Sequence, residues 1–101
     1  MNIRIEEIDG NVVAILEGSL DTLAALEAET IMDPLNYVVG KDIIMDCTDL
    51  EYISSAGLRI FLSILQNAED RGGHVYIKGL NDNVCDIFIL TGFNNIFEFI
   101  Q

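Results

Sequence analysis

Hydrophobic and polar positions along the chain change period several times, and each change marks an element. Asn2 to Ile8 alternates, with Ile3, Ile5 and Ile8 apolar against Arg4 and Glu6, and Asp9-Gly10-Asn11 supplies turn chemistry before the β-branched run Val12 to Glu17. These residues predict an N-terminal hairpin that breaks at Gly18. Thr22 to about Asp33 is rich in Ala, Leu and Glu, which favour helix, with Asp21 placed to cap it and Pro34 to end or kink it. Ile43-Ile44-Met45, flanked by Asp42 and Asp46, reads as a short buried strand, and the residues from Cys47 to Ser54 read as a loop.

The clearest period runs from Ser55 to Arg71. Gly57, Leu58, Phe61, Leu62, Ile64, Leu65 and Ala68 fall on one helical arc roughly 160° wide, with Arg59, Ser63, Gln66, Asn67 and Asp70 opposite and Ile60 at its edge, as peripheral core. Gly72-Gly73 stops that helix, and His74 to Lys78 predicts a strand. Asn81 or Asp82 then caps a third helix ending near Gly92, with a last strand at Phe97 to Ile100. The order predicts an α/β domain over residues 1–101: a mixed sheet of four or five strands with three to four helices packed on it. Its segment from Asp42 to Lys78 should be a right-handed parallel crossover.

Composition narrows the function classes. The 101 residues are 50% hydrophobic, enough for one core and not two. Five Lys and Arg against 17 Asp and Glu give a net charge of −12, which repels phosphate backbones and anionic lipid headgroups. Neither nucleic acid nor a membrane is therefore an expected partner. The apolar runs are far shorter than the 18 or so residues that span a bilayer, and Met1 to Glu7 has no signal-like apolar core, so a soluble cytoplasmic protein is expected.

Cys47 and Cys85 fit no CxxC spacing and read as free, buried thiols. With His74 the only histidine, neither a zinc quartet nor a Cys-His nucleophile pair is available, so no metal or cofactor is expected.

In an open α/β sheet, functional groups gather beyond the carboxyl ends of strands, where helix N-termini point. Asp49-Leu50-Glu51-Tyr52-Ile53-Ser54-Ser55-Ala56-Gly57-Leu58 is the best such stretch, with paired serines at a helix start. Those serines suit N-capping, and a phosphate at such a start would also face a positive dipole end. The stretch lacks the glycines and lysine of a phosphate-binding loop and the Gly-x-Ser-x-Gly frame of a hydrolase.

Gly18-Ser19-Leu20-Asp21, Asp46 with Asp49-Leu50, and Tyr52-Ile53-Ser54-Ser55-Ala56-Gly57-Leu58-Arg59 together resemble the STAS domain of bacterial anti-sigma factor antagonists. The resemblance covers nearly the whole chain. It implies a protein without catalytic activity of its own that binds an anti-sigma factor with serine kinase activity while unphosphorylated. It further implies inactivation by phosphorylation of one serine at a helix start, reactivation by a protein phosphatase, and indirect control of transcription.

By position the phosphoacceptor is Ser55. Family members often read Asp-Ser-Ser/Thr-Gly, whereas here Ser54 replaces the acid and Ala56 the second hydroxyl, which leaves Ser54 as a competing acceptor. The resemblance places Asp21, Ser54, Ser55 and Gly57 in the docking surface. Arg59 joins them on charge grounds, as a rare cation beside the serines suited to a partner carboxylate or a phosphate. Two rival readings keep their place: a STAS adaptor in another regulatory or transport assembly that is never phosphorylated, and a small nucleotide-binding or hydrolytic enzyme.

Overall fold

The computed structural model describes all 101 residues. Strands β1 (Asn2–Ile8) and β2 (Asn11–Leu20) form the predicted hairpin, joined at Asp9 and Gly10, both in the left-handed backbone region. Helix α1 (Thr22–Met32) gives way at Pro34 to a short 3-10 helix over Asp33–Tyr37, since proline lacks the N–H that an α-helix interior requires. Then come β3 (Ile43–Ile53), α2 (Ser55–Asp70), β4 (Val75–Lys78), α3 (Asp82–Thr91), a one-turn 3-10 helix at Phe93–Asn95, and β5 (Glu98–Ile100).

The five strands lie side by side in sequence order, antiparallel between β1 and β2 and parallel thereafter. Each parallel step needs a crossover, and one shared hand puts every crossover helix on the same face. The core agrees: Ala25, Ala28 and Met32 of α1, Phe61 and Ile64 of α2, and Val84 and Phe88 of α3 form one cluster with Leu16, Met45 and Ile77 of the sheet. Phe61, Phe88 and Phe97 meet edge to face at centroid distances of 6.0 to 6.5 Å and join α2, α3 and the start of β5. Ile60 packs against the rim of this cluster, as its place on the arc predicts.

Three expectations need correction. The segment from Cys47 to Ile53 is not a loop: β3 runs on to Ile53, paired with β2 throughout. The register explains why the pattern hid it. Val12 pairs with Ile43, Glu17 with Asp49 and Leu20 with Ile53, so β3 carries two residues more than β2, inserted at two bulges. Buried positions accordingly step by two through Ile43, Met45 and Cys47, then by three to Leu50 and Ile53, and an alternation test fails there. Likewise β2 does not stop at Gly18 but continues through it, at φ 102°, to Leu20. Of the two thiols, Cys47 is fully buried and Cys85 only half-buried.

The first bulge constrains its neighbour. Thr48 turns back on Asp46, its amide and hydroxyl both donating to the Asp46 carboxylate at 3.1 and 2.7 Å. Gly79, just after β4, passes so close that a Cβ there would lie 2.3 Å from Thr48 Oγ1, and its φ is 76°. Gly79→Ala should therefore destabilise the fold by more than the roughly 1–2 kcal/mol of a left-handed non-glycine residue alone. Adding Thr48→Ala should recover only the part due to Oγ1, since Thr48 Cα and Cβ, at 3.1 and 3.2 Å from the added carbon, remain. Urea unfolding of the single and double variants measures both parts.

Candidate functional site

β2 and β3 end together: Leu20 pairs with Ile53, and the Ser54 amide donates to the Leu20 carbonyl at 2.8 Å. Each strand passes directly into a helix whose first turn is closed by a short polar side chain. Asp21 Oδ1 accepts from the Ala24 amide at 2.8 Å, and Ser54 Oγ from the Gly57 amide at 3.2 Å, both from extended backbone. The next strand repeats the device. Asn81 Oδ1 caps α3 through the Val84 amide at 2.9 Å while its Nδ2 donates to the Leu50 carbonyl at 2.8 Å, which ties α3 to the irregular part of β3.

The two adjacent serines thus take opposite places. Ser54 is 6% exposed, the one polar residue in the buried set, with its hydroxyl oxygen accepting the cap bond. Ser55, the first residue of α2, is exposed, and none of its side-chain atoms is bonded to protein. Gly57 lies beneath this surface, not on it: it is buried, and a Cβ would meet Leu20 Cγ at 2.8 Å and Ile53 Cγ1 at 2.9 Å. Its absent side chain is what lets the first turn of α2 sit directly on the paired strand ends. Of the five residues singled out in the sequence, Asp21, Ser55 and Arg59 are exposed, and Ser54 and Gly57 are buried beneath them.

Arg59 is exposed, one turn beyond Ser55, on the wall of a groove of about 460 Å³ between α1 and α2 that Leu26, Glu29, Asp33 and Ile60 also line. Arg4 and Lys41 pair with glutamates and Arg71 with backbone carbonyls, whereas Arg59 has no ion-pair partner within 4 Å. The sequence reading missed two further residues here. Leu23 and Leu26 are 78% and 70% exposed on α1, because the inner face of that helix is made of the smaller Ala25 and Ala28 with Met32. Their phase against Ala25, Ala28 and Met32 was the available signal.

Other reactive groups are silent. Burial, and secondarily the neighbouring Asp46 carboxylate, push the Cys47 thiol far up, so it stays protonated at neutral pH. His74 Nδ1 lies 3.2 Å from the Glu98 carboxylate and its ring stacks on Tyr76, a surface clamp between strands far from the serines. No three side chains of metal-binding type converge, and no helix is long and apolar enough to cross a membrane.

Comparison with known proteins decides the family, since a model described as the STAS domain matches residues 2–101. This chain belongs to the STAS domain family. BtrV of Bordetella bronchiseptica, described as an anti-sigma factor antagonist, is 29% identical over 97 residues, covering 96% of this STAS domain and 84% of BtrV. The anti-sigma-B factor antagonist of Staphylococcus aureus is 27% identical over 79 residues, 78% of this chain and 73% of that one. Among solved structures, the anti-sigma factor antagonist SpoIIAA in its unphosphorylated form superposes with a TM-score of 0.80 at 19% identity, covering 99% of this chain and 89% of that one. The phosphorylated form of SpoIIAA from Bacillus gives a TM-score of 0.73 at 18% identity, with 99% and 92% covered. These superpositions establish the shared STAS fold, a five-stranded mixed sheet with three α-helices.

The division of labour between the serines of this STAS domain has a stability signature. Ser54→Ala should cost about 1 kcal/mol through loss of the cap, and Ser55→Ala should stay within about 0.5 kcal/mol of wild type. Denaturant melts of the two variants side by side check the assignment.

Proposed function

We propose that this STAS domain is an anti-sigma factor antagonist switched by phosphorylation of Ser55. Unphosphorylated, it docks on an anti-sigma factor that is also a serine kinase and so releases a sigma factor, which regulates transcription at one remove. The observation that carries the reading is the placement of Ser55: a free hydroxyl exposed at a helix start, bounded by the Asp21 cap on one side and Arg59 on the other. The names of its relatives support the antagonist role.

The domain is the protein substrate and supplies no catalytic group. The γ-phosphoryl group of ATP on the partner, with its Mg²⁺, passes to Ser55 Oγ; ADP leaves and the hydroxyl proton is released. A protein phosphatase returns the serine by hydrolysing the ester to inorganic phosphate. All of this takes place in the cytoplasm.

The fold can carry the added group. The first amides of α2 and the positive end of its dipole accommodate a dianion at its first residue, and the hydroxyl is already in solvent. Inactivation therefore acts at the interface. A partner surface fitted to a neutral serine and to the exposed Leu23 and Leu26 meets about −1.5 to −2 new charges, and a tenfold loss in affinity needs only about 1.4 kcal/mol. Ser54 cannot take this part without uncapping α2 and leaving the interior. Arg59 offers a partner carboxylate the one unpaired cation near the serines.

Two outcomes test the proposal. Incubation with the cognate kinase and ATP should place phosphate on Ser55 and not on Ser54, as read by tandem mass spectrometry. Ser55→Asp should bind the anti-sigma partner at least about tenfold more weakly than wild type while Ser55→Ala still binds, all three melting alike. A folded Ser55→Asp of wild-type affinity, together with phosphate absent from protein recovered from cells, would instead identify a constitutive adaptor. Asp21→Ala and Leu26→Ser map the surface: each should weaken partner binding more than it lowers stability, since the cap contributes only about 1 kcal/mol. Calorimetric titration and thermal melts of the same samples separate the two effects.

A further inference from the structure

The opposite side of the sheet from the hairpin ends on a different kind of surface. β5 is the edge strand, paired only with β4, and all three of its residues are exposed, Phe99 at 43%. Beside it lies an open cavity of about 410 Å³ lined by Ile77, Leu80, Cys85, Phe88, Ile89 and Phe99 among others, with seven of its nine lining residues hydrophobic. An uncovered strand edge next to an apolar hollow is a pairing surface unless something blunts it. Here the edge is three residues long and carries no proline, and its one charge is that of Glu98, which a matching cation would have to meet.

We propose that this edge pairs with the same edge of a second copy, β5 against β5 in antiparallel sense about a two-fold axis at Phe99, making one ten-stranded sheet. The register supports self-pairing over other occupants. Across β4 and β5, Tyr76 faces Glu98, Ile77 faces Phe99 and Lys78 faces Ile100. A two-fold at Phe99 sets Ile100 of one copy beside Glu98 of the other, so on the outer face each Lys78 comes two strand spacings, on the order of 10 Å between backbones, from the partner copy's Glu98. Those two side chains close such a gap together.

Lys78 has no ion-pair partner in its own chain, and Glu98 uses one carboxylate oxygen toward His74, leaving the other free. In a chain of net charge −12, a contact that places each of two lysines against a glutamate offsets the repulsion that otherwise keeps copies apart. On the helix side the two Phe99 rings meet, flanked by Ile77, with the Ile89-lined hollow of each copy at the seam. The interface is isologous, so it closes at two copies and does not grow into a filament. β3 lies between this edge and the hairpin, so the Ser55 surfaces, at the ends of β2 and β3, stay open on both copies.

Sedimentation equilibrium of the full chain tests this. Wild type should dimerise with a dissociation constant on the order of 100 μM or tighter, in keeping with a small interface. Phe99→Asp should be monomeric with an unchanged circular dichroism spectrum. Lys78→Glu and Glu98→Lys should each weaken the dimer at least about tenfold, and combining them should restore it, a rescue that a general loss of stability cannot produce. A monomeric wild type at millimolar concentration would overturn the proposal. So would a dimer indifferent to Phe99→Asp, or charge variants whose combination fails to restore pairing.

Discussion

The contact of a side-chain-free turn with two strand ends governs this molecule. Gly57 leaves no room for even one carbon between α2 and the Leu20–Ile53 pair. With the helix seated that low, the Ser54 amide reaches the Leu20 carbonyl, its hydroxyl reaches the Gly57 amide, and the following residue is turned out to solvent. Burial of the apolar arc from Leu58 to Ala68 then holds the rest of α2 along the sheet. The chemistry proposed for Ser55 is a by-product of packing: one serine is spent on structure and its neighbour is left free.

Electrostatics give the surface its bias. Most cations are tied to glutamates or carbonyls, which leaves Arg59 near the serines and Lys78 near the opposite edge as unpaired positive points on an acidic body. On such a background a single positive group orients an incoming partner more strongly than it binds one. The apolar positions beside each, Leu26 for one and Ile100 for the other, supply the contact area that charge alone cannot.

Much of this was legible in the sequence where a single local rule decides the conformation. The α2 arc, the Asp21 cap, the turn at Asp9-Gly10 and the stop at Gly72 depend on residues within one or two turns of each other, and the structure follows them. The missed features depend on distant partners. The strand over Cys47–Ile53 breaks its own alternation because β2 beside it is two residues shorter in register. The link from Asn81 to the Leu50 carbonyl joins residues 31 apart in sequence, and Gly57 owes its burial to two strands that precede it. At the candidate site, residue types singled out the serines and family position favoured Ser55, but only the depth of α2 shows that Ser54 is buried and Ser55 exposed.

That depth has a consequence for the reading frame of the helix. Successive residues on an α-helix differ in direction by about 100°, so starting α2 one residue later would make Ser55 the cap and carry Ala56 to the first exposed position. No serine would then face the outside at the helix start, although the composition of the segment would be unchanged. Which hydroxyl is turned outward here is thus decided by where a single hydrogen-bonded turn begins, at the Ser54 cap on the Gly57 amide.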